Sequence, residues 1–296
     1  MTSFGCTFTK PGCPLSPMTK AVPASLIAPR ARRWLAESSS ARILHLFDHA
    51  CNLINDQGNI LSLVAPEIGA GPFALVLPLA RPFSTIFSLQ DKVDINDNIL
   101  RVGLFEIDIT DAAFWQPIPD WQRLRRNTAV WRTWLPQLQD MTASYRRRQG
   151  IDVPSGLSAR LEAGAALFLR GLVEEDTAVC CAGVQKLAGL GQGLTPAGDD
   201  FLLGAMYGLR VRERVEAARF WNELIVDTAV PRTTALSAAW LRAAAQGEAV
   251  TAWHEFCRHS AVADRWGTAV QRILRTGHSS GVDALTGFTA VLVDTN

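Results

Sequence analysis

The sequence predicts an α+β protein in which a small antiparallel β sheet or barrel precedes a larger, all-helical domain. Two observations predict this order. Short apolar segments broken by Gly, Pro and polar residues occupy residues 41–112, and helix-period apolar residues occupy residues 113–296. The 296 residues, 48% hydrophobic and 19% charged, are enough to bury a substantial core. Residues 1–40, of which 1–28 are rich in Pro, Ser and Thr, are expected to be a loosely held lead-in segment.

The β-rich region begins with a hairpin. Asp56-Gln57-Gly58-Asn59 is a good turn sequence, and it lies between the apolar segments ILHLFDHACNLIN and ILSLVA. Further short strands are predicted in FALVLPL, FSTIF, NILRVG and LFEIDI. Several short strands in close succession are typical of a small sheet or barrel.

The region after residue 112 is helical in pattern. Gly247 and Gly277 each follow a periodic segment and are expected to end a helix. The last helix is expected to start near Gly281. The predicted helices before it contain LSARLEAGAALFLRGL, TAVCCAGVQKLAG, PAGDDFLLGAMYGLRVR, VEAARFWNELIVDTAV, TTALSAAWLRAAAQG, AVTAWHEFCRH and DRWGTAVQRILRTG.

Composition argues against several classes of protein. The formal net charge of +1 gives no support for binding nucleic acid or a membrane surface. No apolar run has the length of a membrane span, and the N-terminus lacks the apolar core of a signal peptide, so a cytoplasmic protein is expected. The six cysteines and five histidines match no zinc-binding spacing.

The most informative motif is a glycine loop, which we define as residues 189–196, GLGQGLTP. Its alternating glycines lead into a predicted helix that starts at Thr195-Pro196 and carries Asp199 and Asp200 in its first turn. Free N–H groups and the helix dipole make such a start an anion site. The residues expected to bind a phosphate or a similar anion here are Gly191, Gly193, Leu194, Thr195 and Gly198.

The two acids beside this anion site restrict what it can bind, because a phosphate and a carboxylate repel each other. Three solutions are open. Mg²⁺ could bridge Asp199, Asp200 and a phosphate; the acids could accept hydrogen bonds from an amide or carbamoyl –NH₂ group; or the acids could be structural and bond the loop's own N–H groups. The motif is neither a P-loop nor a dinucleotide fingerprint, since no Lys follows the glycines and a helix precedes them.

A second loop, residues 276–283, resembles the first. It contains glycines and hydroxyls, and it too places an acid just inside a helix. His278 is the best available proton-transfer group of the two loops. The alternative is that a serine only caps the helix and the acid only favours its dipole. The candidate ligand-binding residues of this loop are Ser279, Ser280, Gly281 and Asp283.

A third segment, Pro231-Arg232-Thr233-Thr234, brings a guanidinium together with hydroxyls. Thr234 and Ser237 are three residues apart and share one helix face. Arg232, Thr234 and Ser237 are therefore further candidates for binding phosphate or carboxylate. The commoner explanation is a helix start with a solvated arginine.

The glycine loop, the later TTALS segment and GHSSGVDALTG together resemble the family of the third subunit of bacterial oxamate carbamoyltransferase, formerly a family of unknown function. The resemblance covers most of the chain from Ile43 to the last helix. It implies a role in anaerobic allantoin and purine degradation, in which the assembled enzyme interconverts oxalurate plus phosphate with oxamate plus carbamoyl phosphate. It also implies partner subunits. His278-Ser279-Ser280 stands where His-Thr-Ser is expected.

Two functional hypotheses follow. In the first, the chain is an enzyme subunit that binds a small anionic substrate, and Asp199, Asp200 and His278 carry the chemistry. The two loops then converge on one pocket that opens toward the β-rich domain, since ligand sites favour domain interfaces. In the second, the chain is a scaffolding or regulatory subunit whose glycines only permit close helix packing, as the spacing of Gly204 and Gly208 suggests.

Overall fold

A mixed β sheet formed by residues 20–114 precedes a helical region, which confirms the α+β class. The computed structural model describes residues 20–96, 98–260 and 262–293. The strands are β1 Lys20–Pro23, β2 Leu26–Ile27, β3 Ala41–Leu46, β4 Ala50–Asn55, β5 Ile60–Val64, β6 Ala74–Val76, β7 Lys92–Asn96, β8 Ile99–Val102, β9 Phe105–Asp108 and β10 Ala113–Phe114.

The strands join one sheet in the order β1-β9-β8-β7-β3-β4-β5-β6-β2-β10. The β1–β9, β5–β6 and β2–β10 pairs are parallel, so the sheet is mixed rather than antiparallel. The predicted hairpin at 56–59 joins β4 to β5. Asn55 stabilises its turn, because the side-chain oxygen accepts the N–H groups of Gln57 and Asn59.

Two expectations for the β-rich region were wrong. Residues 20–27 are not part of a loose lead-in, because β1 pairs with β9 and β2 with β6, and such long-range pairing leaves no local pattern. The segment FSTIF is not a strand; Phe83–Thr85 is a 3₁₀ turn that follows Pro82, and its buried Phe83 donates its N–H to Asp48. The expected lead-in of residues 1–19 lies outside the described residues.

The helices follow the predicted segments closely. None of those in the described ranges has the length and apolar character that crossing a membrane requires. Their bounds are α1 Pro29–Glu37, α2 Trp121–Arg126, α3 Thr128–Arg132, α4 Leu135–Arg148, α5 Ser155–Val173, α6 Thr177–Leu187, α7 Ala197–Arg212, α8 Val215–Ala229, α9 Ala235–Ala245, α10 Thr251–His259, α11 Ala263–Leu274 and α12 Ser280–Val293.

Helices α7 and α12 lie parallel and in backbone contact. A Cβ atom placed on Gly204 would lie 1.7 Å from the carbonyl oxygen of Ala284, and one on Gly208 would lie 2.9 Å from that of Phe288. From the first contact to the second, the residue number rises by four in α7 and by four in α12, so the two helices run in the same direction. Gly287 makes the reciprocal contact with Phe201, at 1.9 Å. These glycines therefore set the distance and the register of the pair.

The sheet packs on the helical region beside the glycine loop. Phe73 and Trp240 have ring centroids 4.4 Å apart, and Leu194 of the loop packs against the same apolar cluster, which includes Ile60. Further along the boundary, the backbone N–H of Thr251 donates to the Ala70 carbonyl oxygen at 3.0 Å. The glycine loop is thus supported from the sheet side.

Two helical glycines test the packing role. Gly204→Ala is expected to lower the free energy of unfolding by about 1–3 kcal/mol or more, because its Cβ overlaps the backbone of α12. Gly267→Ala, in α11, has open space around its Cβ and is expected to raise the free energy of unfolding by about 0.5–1 kcal/mol through helix propensity. Urea unfolding of both variants measures this; equal effects would contradict the packing role.

Candidate functional site

The first turns of α7 and α12 lie side by side. The hydroxyl oxygens of Thr195 and Ser280 are 2.9 Å apart, although the residues are 85 positions apart in the chain. Because the helices are parallel, both positive dipole ends point to the same place. The two loops singled out in the sequence therefore meet at one site.

Both helix starts are built in the same way. Gly198 lies against the carbonyl oxygen of Leu187 at the end of α6, and Gly281 lies against that of Ile273 near the end of α11. A Cβ atom would lie 2.0 Å and 1.8 Å from these oxygens. In each case the glycine lets the new helix start directly against the preceding one. Gly198 and Gly281 thus act in packing, whatever else the loops do.

The glycines inside the glycine loop differ from one another. Gly189 and Gly191 have positive φ and lie against backbone, with their Cβ positions 2.4 Å from the Arg232 carbonyl oxygen and 2.6 Å from the Ala197 nitrogen. Gly193 also has a positive φ, of 89°, but nothing lies within 4 Å of its Cβ position. Packing explains the first two glycines, whereas Gly193 leaves the loop open.

The backbone of the glycine loop offers a run of free donors. The N–H groups of residues 191–195 donate no hydrogen bond to any other residue that the structure describes. Gln192 and Gly193 are exposed, so a ligand can reach this part of the backbone from solvent. Unpaired amides at a helix start are suited to binding an oxyanion.

Asp199 is bound by protein groups on both oxygens. It is 2% exposed, its Oδ1 accepts the Gly189 N–H at 2.9 Å, and its Oδ2 accepts the Thr233 hydroxyl. Burial raises the pKa of Asp199 above its usual range, and the hydrogen bonds from Thr233 and Gly189 act in the opposite direction. Asp199 therefore fastens the glycine loop to the start of α9.

Asp200 is the unsatisfied carboxyl of the site. It is 6% exposed, and its Oδ2 has no hydrogen-bond partner among the described residues. Burial raises its pKa well above the usual range; the Ser280 and Thr195 hydroxyls lower it, and the Asp283 and Asp199 charges raise it. A buried carboxyl with a raised pKa is a candidate for proton transfer.

Asp283 faces a cation. Its Oδ1 accepts a hydrogen bond from Arg146 Nη2 of α4 at 2.5 Å. Burial raises the pKa of Asp283, and the Arg146 guanidinium lowers it. This ion pair forms part of the wall of a cavity of about 430 Å³ between α4, α5, α7 and α12.

The third candidate segment supports the glycine loop. The Thr234 hydroxyl donates to the Leu194 carbonyl oxygen at 2.7 Å and accepts the Ser237 N–H, so Thr234 caps α9. Ser237 is buried behind it. The Arg232 guanidinium donates to the Thr228 carbonyl oxygen at 2.6 Å, so it bonds the end of α8 rather than either loop.

Some predicted positions differ in the structure. Helix α7 begins at Ala197 with Pro196 as its cap, so the Thr195 hydroxyl is available to Ser280 instead of capping the helix. His278 is exposed and does not line the cavity. The cavity is lined by residues between 146 and 286. Leu194 of the glycine loop packs against the cluster that contains Ile60 and Phe73 of the β-rich region, and the expected opening of the site toward that region stays a prediction.

The described residues contain no group of three or more His, Cys, Asp or Glu side chains arranged to hold a metal ion. The sequence pattern does not distinguish Arg146 or the cavity. Arg146 lies in Arg146-Arg147-Arg148 at the end of α4, a pattern usual for a solvated helix terminus. Only the packing of α4 on α12 distinguishes it.

Comparison with known families gives two matches. Residues 187–292 match the family of the oxamate carbamoyltransferase subunit AllH, and residues 20–114 match the N-terminal domain of the AllH family. The first match contains all three candidate segments, and the second contains the sheet. No solved structure matches the chain.

The two neighbouring acids should respond oppositely to the same substitution. Asp200→Asn removes a carboxylate that is costly to ionise in the folded protein. The wild type therefore loses stability as pH rises from about 4, the unfolded pKa, through the raised folded pKa, and the variant is spared this loss. The free energy of unfolding of Asp200→Asn should equal that of the wild type near pH 4 and exceed it increasingly toward neutral pH.

Asp199→Asn is the matched comparison, because it removes an acceptor from Gly189 or Thr233. It is expected to lower the free energy of unfolding by about 1–3 kcal/mol. Urea unfolding between about pH 4 and pH 7 measures both variants. If Asp200→Asn were destabilising throughout, the Asp200 carboxylate would be satisfied by partners of its own.

Proposed function

Because the chain belongs to the oxamate carbamoyltransferase subunit AllH family, we propose that it binds phosphate or carbamoyl phosphate within a carbamoyltransferase complex. The proposed site consists of the N–H groups of residues 191–195 and the hydroxyls of Thr195 and Ser280. Ser279 and His278 lie on the same second loop.

The observation that carries this proposal is the contact between Thr195 and Ser280 at the ends of two parallel helices. One loop alone can complete only part of the shell around a phosphate. A second helix start adds hydroxyl donors and a second dipole, and both favour negative charge. The five amides of residues 191–195, which donate to none of the described residues, supply the remaining donors.

The surrounding acids are compatible with an anion if they carry little charge or are already bonded. Asp199 is occupied by Gly189 and Thr233. Burial favours the uncharged form of Asp200, which as an acid donates a hydrogen bond and as a carboxylate accepts one from a carbamoyl –NH₂. A structural role, in which the acid bonds the loop's own N–H groups, fits Asp199. Acceptance of a hydrogen bond from a carbamoyl –NH₂ group fits Asp200.

The occupied oxygens of Asp199 argue against a Mg²⁺ ion shared by both acids, since among the described residues Asp200 alone of the two has an oxygen without a partner. Asp200 and His278 are the proposed proton-transfer groups. His278 would act from the exposed side of the second loop and Asp200 from the buried side. Partner subunits, a role in allantoin degradation and a cytoplasmic location are parts of the same proposal.

A second candidate function is a scaffolding or regulatory subunit. The contacts of Gly204, Gly208 and Gly287 favour it, because they show glycines used for close helix packing. Packing does not explain the open surroundings of Gly193 or the unpaired amides beside it. We therefore favour the binding role.

The Thr195 hydroxyl tests the proposed site. Thr195→Val keeps the shape of the side chain and removes the hydroxyl, so phosphate and carbamoyl phosphate should bind about tenfold or more weakly, as expected for a lost hydrogen bond to a charged group. Thr289→Val in α12 is the control, because its hydroxyl donates to the Leu285 carbonyl oxygen inside the helix.

The measurement is calorimetric titration of the full chain with each anion, with and without co-purified partner subunits. Gly193→Val should weaken binding as well, because it fills the open loop and strains its positive φ. Wild-type affinity in both Thr195→Val and Gly193→Val would exclude this site.

A further inference from the structure

A cavity of about 430 Å³ lies beside the proposed phosphate site. Ala197 in the first turn of α7 and Asp283 in the first turn of α12 are on its wall. Its volume lies within the usual range of small-molecule pockets. The cavity therefore begins where the two helix starts meet and extends away from the glycine loop, toward α4 and α5.

Much of the cavity wall is apolar. Ile151, Val153, Leu161, Leu187 and Phe201 contribute side chains, and such walls strengthen the few polar contacts that a ligand makes. Polar side chains line the cavity as well, and they include the carboxylates of Asp152, Glu162 and Asp283. Arg146 and Arg147 supply guanidinium donors, and Asp283 supplies a carboxylate acceptor directly beside Arg146.

A donor and an acceptor in contact can recognise a ligand that carries a carboxylate next to an amide. A guanidinium binds a carboxylate through two parallel hydrogen bonds, and a carboxylate accepts the N–H groups of an amide. Oxamate, which appears in the name of the matched family, has these two groups on adjacent carbons.

We infer that this cavity binds oxamate, with Arg146 holding its carboxylate and Asp283 accepting its amide –NH₂. The inference rests on the proposed function. The proposed function concerns only the binding of phosphate or carbamoyl phosphate. The inference adds the position of the oxamate site and the residues that determine its specificity.

The positions of the two sites suit the transfer. The carbon of carbamoyl phosphate forms a bond to the amide nitrogen of oxamate, its bond to the phosphate oxygen breaks, and the proton lost by the nitrogen passes to phosphate. The reactants must therefore lie in contact. Asp283 lies three residues from Ser280, so an amide held at Asp283 would face a phosphate held at Thr195 and Ser280.

Arg146→Gln tests the carboxylate contact. In the full chain co-purified with its partner subunits, this variant is expected to bind oxamate at least tenfold more weakly, while phosphate binding stays at the wild-type level. Arg148→Gln is the matched control, since Arg148 is an exposed neighbour that does not line the cavity. Calorimetric titration with oxamate and, separately, with phosphate measures both sites.

A second variant keeps the Arg146–Asp283 ion pair and fills the cavity instead. Ala165→Leu on α5 should also weaken oxamate binding, whereas Ala166→Leu, on the exposed side of the same helix, should not. Wild-type oxamate affinity in both Arg146→Gln and Ala165→Leu would overturn the inference. Thr195→Val tests phosphate binding separately. Failure of the proposed phosphate site is therefore distinguishable from failure of the proposed oxamate site.

Discussion

The backbone contact between α7 and α12 is the constraint on which the candidate site depends. Gly204 and Gly287 let the two helices approach closer than any side chain would allow, with Cβ positions less than 2 Å from the opposing carbonyl oxygens. A parallel pair held this tightly must present both of its N-termini at one end. The Thr195–Ser280 contact is a consequence of this packing. The packing and binding hypotheses are therefore compatible, because the packing glycines of α7 and α12 bring the proposed binding groups together.

Electrostatics explains why acids accumulate at this end of the molecule. Two aligned dipoles favour negative charge, and Asp199, Asp200 and Asp283 supply it in the first helical turns. Burial opposes that charge and raises the pKa of each carboxyl, and only Arg146 forms an ion pair with any of the three among the described residues. Asp199 is stabilised by hydrogen bonds, Asp283 by Arg146, and Asp200 is left with an unpartnered oxygen. Burying a carboxyl with an unpartnered oxygen lowers the free energy of unfolding, and a ligand that binds this oxygen would offset that cost.

The sequence predicts the parts of this structure that depend on local pattern. Helix periods, the glycines after α9 and α11, and the 56–59 turn can all be recognised from neighbouring residues. The pairing of β1 with β9 cannot, because it joins segments about 85 residues apart. For the candidate site, the sequence predicts both loops, since each places glycines before an acid at a helix start. It does not identify Arg146, whose importance comes from the packing of α4 against α12. It also cannot distinguish the structural Asp199 from the unsatisfied Asp200, because adjacent residues on a helix face different neighbours.

The most direct measurement is a crystal structure of the full chain grown with carbamoyl phosphate or inorganic phosphate. The account predicts an anion within hydrogen-bond distance of the Thr195 and Ser280 hydroxyls and of N–H groups in residues 191–195, with the α7–α12 packing unchanged. An empty glycine loop, with the anion bound elsewhere on the chain or absent at saturating concentration, would contradict the claim that the paired helix starts form the phosphate site.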